Sequence, residues 1–276
     1  MAKFLIIGDG FIGNFLARTL PDSVHYKNRL WEKVEIEYLL DDHPSTTLIN
    51  CAGKTGRPNI DWCESHKDET FDDNVKLPAM IAETCQERKI HWIHIGSGCI
   101  YDGYDKAWME EDPPNFAGSF YSRTKIWSQD ILADFANVAV LRIRMPIDDQ
   151  FHERNYIRKL VMYAKEGRKL FSLPNSMTYL PDLARFIEHV REHGLTGPWN
   201  VVNSGKITAE EVLEIYKEKI DPTFTYKLFT YSETSKDFLA PRSNCVLSND
   251  KMMTVEFQMP NIKTRIEEAL DVHGLR

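Results

Sequence analysis

The sequence predicts an α/β protein built on a doubly wound parallel sheet, with a small irregular C-terminal lobe. Three observations carry that prediction. Short, continuously apolar runs alternate with helically spaced stretches through the first half of the chain. The first of these runs ends in a glycine-rich turn that opens a helix. At 276 residues, 42% apolar and 27% charged, the chain is long enough to bury one large core with a smaller appendage. Strands that are apolar at every position are covered on both faces, as in a parallel sheet flanked by helices.

The elements follow in order. "KFLIIG" is the first strand and "FIGNFLARTL" the first helix. "SVHYK" is a second short strand, "LWEKVEIEYLL" a second helix and "STTLINCA" a third strand. One long helix is expected from about Glu69 to Arg88, followed by "IHWIHIG" as the fourth strand, in which Trp92 and His94 read as packing. "FYSRTKIWSQDILADF" has amphipathic helical spacing, and "NVAVLRIR" is a fifth strand. Right-handed crossovers between such strands give a Rossmann-type domain.

Past Arg144 the rhythm breaks. "MPIDDQFHERN" is a polar loop, "YIRKLVMYAKEG" a helix stopped at Gly167, and "LPDLARFIEHVREHG" a helix stopped at Gly194. "PWNVVN" is a further strand, and Thr208 and Glu211 stand in capping-box spacing at the head of another helix. The C-terminal segment, broken by "DPTF", "APRSN" and "QMPN", reads as irregular. The expected division is a dinucleotide-binding domain over residues 1–146, completed by about 176–204, with 147–175 and 205–276 as the second lobe.

Composition removes several function classes. A net charge of −7 argues against a nucleic-acid-binding surface. No apolar run approaches the ~20 residues that span a bilayer. "MAKFLIIGDG" enters a strand without signal-peptide anatomy, so a cytoplasmic location and no membrane partner are expected. Cysteines 51, 63, 85, 99 and 245 are odd in number and lack C-x-x-C spacing, which predicts neither a disulfide framework nor a metal site.

"GDGFIG" sets Gly8, Gly10 and Gly13 in G-x-G-x-x-G spacing between a strand and a helix. There the glycines permit a tight turn and let the backbone, Phe11 and Ile12 included, approach a pyrophosphate at the helix N-terminus. Asn50, Cys51, Ala52 and Gly53 end the third strand, where small residues let a cofactor lie against the backbone. NAD-binding folds carry an acidic residue near the end of the second strand for the ribose 2′-hydroxyl. Here "HYKNRLW" offers Lys27, Asn28 and Arg29 and no carboxylate, which suits a 2′-phosphate and predicts NADP(H).

"YSRTK" puts Tyr121 and Lys125 on one face of a helix, with Ser97 at the C-terminal end of the preceding strand. Parallel sheets bind ligands at that edge. A hydroxyl, a phenol and an ammonium there suit carbonyl reduction: Lys125 lowers the phenol pKa by charge, Tyr121 donates a proton to the developing alkoxide, and Ser97 polarises the carbonyl.

With these motifs in place, the chain resembles the extended, nucleotide-sugar-modifying short-chain dehydrogenase/reductases. "NCAGKTGRPNIDWCESH", "GSGCIYDG", "GSFYSRTK", "LRIRMPI", "LPNSMT" and "APRSN" are more closely similar to the bifunctional nucleotide-sugar 3,5-epimerase/4-reductases that form the C-terminal half of plant rhamnose synthases. The resemblance covers nearly the whole chain. One departure is Ile7, where extended members usually carry the first glycine.

The resemblance implies a nucleoside diphosphate 4-keto-6-deoxyhexose substrate, a homodimer through the Tyr121 helix and its neighbour, and a separate 4,6-dehydratase upstream. It assigns proton transfer at C3 and C5 to Cys99 and to a residue of the later helix. Counting through "RNYIRKL" gives Lys159, although "IRKL" also offers Arg158. It further implies substrate contacts at Asn74, Asn175 and Arg242, the last to the diphosphate. The acidic run "EEDPP" is expected to be a solvated loop able to shape the sugar pocket. The residues alone leave open a 4-reductase with an inert Cys99, an epimerase/reductase like GDP-fucose synthase, and a dinucleotide-binding regulatory subunit without turnover. The base of the nucleotide stays open as well, with UDP favoured over dTDP and GDP.

Overall fold

The computed structural model describes residues 3–44, 46–150 and 152–274. In its first half β1 (Phe4–Ile7), α1 (Phe11–Thr19), β2 (Ser23–Tyr26), α2 (Lys33–Asp42) and β3 (Thr47–Asn50) alternate as the apolar rhythm predicts. Two short helices, α3 (Asp61–Ser65) and α4 (Lys67–Phe71), lead through a π turn (Asp72–Lys76) into α5 (Leu77–Glu87) and β4 (Trp92–Ser97). The single long helix expected from Glu69 is thus a helix interrupted by a wide turn, and that turn carries Asn74. The chain continues through β5 (Gly103–Trp108), α6 (Phe120–Leu132), β6 (Val138–Ile143), α7 (Tyr156–Lys165), α8 (Leu180–His193) and β7 (Gly197–Asn200). Then come α9 (Ala209–Lys219), α10 (Tyr231–Thr234), β8 (Cys245–Leu247) and α11 (Ile262–Gly274).

Six strands form one parallel sheet in the order β2-β1-β3-β4-β6-β7. The chain crosses from β2 over β1 to β3, so the crevice at the C-terminal ends of β1 and β3 is a topological switch point, where doubly wound sheets bind ligands. One face of the sheet packs against α1 and α8 through residues such as Phe15, Leu16, Leu183 and Phe186. The other packs against α2 and α5 through Ile36, Leu40, Ile81 and Cys85. Trp92 and His94 are buried, as their alternation suggests.

A separate core joins α7, α9 and α11 through Ile157, Val161, Val212, Leu213, Ile266 and Leu270. The C-terminal segment is therefore less irregular than its prolines suggest: Pro260 lies just before α11 and its backbone caps neighbouring loops, leaving the helix itself free to form. β5 and β8 pair as a second, two-stranded parallel sheet that the sequence reading missed, because most β5 residues are exposed and show no alternation. "EEDPP" also departs from expectation. Glu110 is buried and accepts the Asn200 N–H at 2.8 Å, tying this loop to β7. None of the five residues lines the main cleft. No described helix is long and apolar enough to cross a membrane.

Candidate active site

A cleft of about 520 Å³ opens at the C-terminal edge of the main sheet, lined by residues from both cores. Its floor begins with the glycine turn. Gly8 has a φ of +113°, and a Cβ there would stand 2.6 Å from the Ala52 nitrogen. A Cβ on Gly13 would stand 2.1 Å from the Gly8 carbonyl oxygen. Glycine is thus required at both positions, and the Ile7 departure leaves the turn intact. Gly10 caps α1 without any side-chain acceptor, and no acidic residue occupies the first turn. Gly10, Phe11 and Ile12 line the cleft with Cys51 and Gly53, so open space, free N–H groups and a helix dipole meet there. This cradle fits a pyrophosphate.

The cations beside it are already paired. Lys27 lies 3.5 Å from the Asp9 carboxylate and donates to Asn14 Oδ1 at 3.3 Å. Arg29 lies 2.7 Å from Asp73 and 3.8 Å over the Trp31 ring. Asn28 is exposed between them. The stretch itself holds no carboxylate; Asp9 of the glycine turn brings one against Lys27 in space, which a scan of β2 could not reveal.

The hydroxyl, phenol and ammonium of the sequence pattern converge behind the cradle. Ser97, Tyr121 and Lys125 are each 7% exposed. Ser119 caps α6 by accepting the Ser122 N–H, and Ser122 Oγ donates to the Cys99 carbonyl at 2.7 Å, so the helix bearing Tyr121 is tied to the end of β4. Burial pushes the Tyr121 phenol well above its usual range; negative charge on Cys99 adds to that, and the Ser97 hydrogen bond opposes it. Lys125 Nζ lies 6.0 Å from the Tyr121 ring centroid, and burial pulls the ammonium down to about 8. Gly53 makes room for it, since a Cβ there would sit 3.4 Å from Nζ.

Asn74 is fully buried and does not reach the cleft, contrary to its expected substrate contact. Its amide accepts the Lys54 N–H at 2.8 Å, donates to the Lys54 carbonyl at 3.0 Å and to Thr124 Oγ1 at 3.1 Å. The π turn widens the helix where Asn74 bridges the loop after β3 to α6, a positioning task.

Cys99 is half-buried and lines the cleft beside Tyr121. Ser97 Oγ accepts its N–H at 3.1 Å, which sets the thiol just past the hydroxyl. Across the cleft, Asn155 caps α7 by accepting the Ile157 N–H, and Lys159 projects into the cleft one turn on; Arg158 is not among the lining residues. Burial lowers the Lys159 ammonium to about 8, helped by the neighbouring charges of Arg154, Arg242 and Arg168.

Arg242 lines the same wall, but Asp61 holds it through two hydrogen bonds of 2.7 and 2.9 Å. Asn175 does not reach the cleft. It is 3% exposed, its oxygen accepts from Arg144 and the Cys245 N–H, and its nitrogen donates to Asn244 and the Leu173 carbonyl, so nothing of it is left for a ligand.

Sequence reasoning missed Arg144 and Met145, which follow β6. Arg144 is 1% exposed, and its Nη1 lies 3.7 Å from the Cys99 sulfur. Met145 lines the cleft with a φ of +39°, a conformation rare outside glycine and costly for a side chain. Both stand in "LRIRMPI", where an arginine ending an apolar strand was the available signal.

Known proteins resemble this chain in sequence and in fold. The model of the RmlD substrate-binding domain matches residues 13–274. The bifunctional dTDP-4-dehydrorhamnose 3,5-epimerase/dTDP-4-dehydrorhamnose reductase of Arabidopsis thaliana is 39% identical, covering 95% of this chain and 90% of its own length. A trifunctional UDP-glucose 4,6-dehydratase/UDP-4-keto-6-deoxy-D-glucose 3,5-epimerase/UDP-4-keto-L-rhamnose-reductase of the same plant is 38% identical over 91% of this chain, which spans 39% of that protein. Among solved structures, the L780 UDP-rhamnose synthase of Acanthamoeba polyphaga mimivirus superposes with a TM-score of 0.91 at 28% identity, covering 99% of this chain and 100% of that one.

Proposed function

The chain belongs to the RmlD substrate-binding domain family, and from that premise we propose that it converts UDP-4-keto-6-deoxy-D-glucose to UDP-L-rhamnose by 3,5-epimerisation and NADPH-dependent 4-keto reduction. The observation that carries this reading is one cleft lined by a thiol, a phenol and a lysine ammonium together with the pyrophosphate cradle. The names of its relatives, an epimerase/reductase at 39% identity and a UDP-rhamnose synthase of matching fold, support the same chemistry.

The C4 ketone acidifies the protons at both C3 and C5. Cys99 removes one of them; the C–H electron pair moves into the ring and the carbonyl pair onto oxygen, where Ser97 and Tyr121 hold the enolate. Lys159 returns a proton from the opposite face, inverting the centre. NADPH, when bound, supplies hydride to C4. Tyr121 then gives its proton to the C4 oxygen, and the Lys125 charge steadies the phenolate left behind. Gly8, Gly10, Phe11, Ile12 and Gly13 hold the cofactor pyrophosphate with Asn50, Cys51, Ala52 and Gly53 beside it. Lys27 and Arg29, with Asn28, meet a 2′-phosphate by giving up Asp9 and Asp73. Residues 1–146 with about 176–204 serve the cofactor, and 147–175 with 205–276 serve the sugar nucleotide. A 4,6-dehydratase must supply the substrate. The aromatic cluster of Phe71, Phe120 and Trp127 on α4 and α6, with Phe71 and Trp127 exposed, supports a homodimer through that face.

The test is incubation with the UDP-, dTDP- and GDP-linked 4-keto-6-deoxy sugars and NADPH in deuterated water, with products resolved by NMR. The expected product is UDP-L-rhamnose carrying deuterium at C3 and C5. A reduced sugar without deuterium at either carbon would leave a reductase alone.

A further inference from the structure

Arg144 is a guanidinium buried at the end of β6 without a carboxylate within ion-pair distance among the described residues. Neutral groups fix it instead. Nη1 donates to Ser243 Oγ at 2.8 Å and to the Gly98 carbonyl at 3.1 Å; Nη2 donates to Asn175 Oδ1 at 2.5 Å and to the Ser243 carbonyl at 3.2 Å. Its Nε, also buried, has no hydrogen-bond partner among the described residues. A charge taken out of water is costly unless something compensates it, and the compensation here is five contacts, four of them to uncharged oxygens. The fifth is the Cys99 sulfur, 3.7 Å from Nη1. The nearby carboxylate of Asp102 is occupied by the Asn244 N–H at 2.7 Å.

The serine-glycine-cysteine turn is shaped around this side chain. A Cβ on Gly98 would stand 2.9 Å from Arg144 Cγ and 2.5 Å from Leu247 Cδ1, so glycine is what lets the arginine stem pass beneath the turn. Asn175, away from the cleft, turns its amide oxygen to the guanidinium, and Ser243, at the cleft wall, offers it both the hydroxyl and the carbonyl oxygen.

We propose that Arg144 is a positioning residue for epimerisation, the fixed counter-charge to the Cys99 thiolate that takes the proton from the sugar carbon. The inference rests on the epimerase reading given above. When the thiolate takes the proton, a C–H bond breaks and an S–H bond forms; the carbon's electron pair passes through the ring to the C4 oxygen. The charge leaves the sulfur for an oxygen held by Ser97 and Tyr121, and the guanidinium stays in place for the return. Charge-assisted contacts are roughly twice as strong as neutral ones, which is enough to matter for a negative charge 3.7 Å from Nη1. Reduction needs no base at Cys99 and feels this pair only through its charge on Tyr121, so the two halves of the reaction should separate at Arg144.

The experiment follows deuterium entry at C3 and C5 of the 4-keto nucleotide sugar without NADPH, in wild type, Arg144→Met and Arg144→Lys. Alkylation of Cys99 by iodoacetamide at one neutral pH, and reduction of a ketone already epimerised, are measured alongside. In Arg144→Met, deuterium entry should fall on the order of 100-fold and Cys99 alkylation about tenfold, with reduction retained within about threefold. Arg144→Lys, which keeps the charge, should recover part of both losses. Wild-type rates of exchange and alkylation in Arg144→Met would overturn the proposal, as would exchange and reduction falling together. If Arg144→Met does not fold, Arg144→Lys decides alone: exchange reduced with reduction retained supports the role, and a parallel loss of both overturns it. Absence of deuterium entry in wild type would instead sink the epimerase reading itself.

Discussion

The two walls of the cleft are built differently. On the sheet side, Ser97 ends β4, and Tyr121 and Lys125 stand one turn apart on α6, so regular elements deliver the groups proposed for reduction. On the lobe side, Arg144 and Met145 follow the end of β6, Lys159 comes from α7, and Arg242 from the segment between α10 and β8; of the pair proposed for epimerisation, Cys99 sits just past Ser97 on the sheet wall and meets Lys159 only through long-range contacts. A wall made of regular elements ties each functional group to its backbone spacing. A wall made of loop ends depends on packing between the two cores, and its groups carry unusual environments: a guanidinium with no carboxylate in ion-pair distance among the described residues, and a methionine at positive φ. The two proposed chemistries therefore share a ketone and the β4–α6 wall but differ in what the lobe adds, and should be partly separable by mutation.

The largest expected effect breaks the walls apart. Tyr121→Phe removes the proton donor for the alkoxide and one of the two groups holding the enolate. Reduction of a pre-epimerised ketone should fall about 10²- to 10⁴-fold, with deuterium exchange slowed as well. Cys99→Ser should abolish most exchange and leave reduction standing. The asymmetry is the point: a lesion at the phenol damages both activities, and a lesion at the thiol damages one. Equal losses in the two variants, measured by stopped-flow hydride transfer and by NMR exchange, would show that the walls do not work independently.

This contrast also explains what could be read from the sequence. Tyr121 and Lys125 were legible because four residues along a helix fix their relation before any folding, and the glycine turn was legible because its steric demands are local. Arg144 was not. It lies on the same strand face as Arg142, two residues away, and both are buried. Yet Arg142 is bound into structure by Tyr101, Gln129 and the Glu110 carbonyl, while Arg144 meets Asn175 and Ser243, 31 and 99 residues away. Nothing in an apolar run ending in arginines tells the two apart. The same limit hid Asn175, whose motif was visible but whose amide serves an arginine instead of a ligand, and β5, whose partner β8 lies far along the chain.

A smaller effect tests how much the sheet side sacrifices for reactivity. Lys125 is held at about 8 against its ordinary 10.5, with burial as the cause and the charges of Cys63 and Cys99 opposing it. Below pH 8 the lysine is protonated in both folded and unfolded chains, and the fold bears the full cost of the buried charge, about 3 kcal/mol. Between pH 8 and 10.5 the unfolded chain holds the extra proton, so stability rises with pH and the cost fades. Lys125→Met should therefore raise the melting temperature of the cofactor-free protein at neutral pH, with the gain shrinking toward pH 10.5, while reduction is lost. Wild-type reduction should decline as pH climbs past about 8. A variant less stable than wild type at pH 7 would mean that the ammonium contributes more to packing than it costs.

The smallest effect belongs to the lobe side. Arg242 is expected to meet the substrate diphosphate, yet Asp61 on α3 grips both its terminal nitrogens. Burial favours the neutral Asp61 carboxyl, but the hydrogen bonds and charge of Arg242 win and hold it below its usual range, so at neutral pH a carboxylate occupies the phosphate's place. The pair is partly exposed, at 17% and 21%, and solvent screening keeps the energy of exchange small. Asp61→Asn keeps the shape and removes the competing charge. KM for the nucleotide sugar should fall about threefold, with kcat unchanged, because Arg242 touches no reacting atom. A rise in KM would mean that Asp61 aims Arg242 at the substrate and does not compete with it, so that this wall too would be preorganised, and the contrast with the sheet side would narrow to the segment around Arg144.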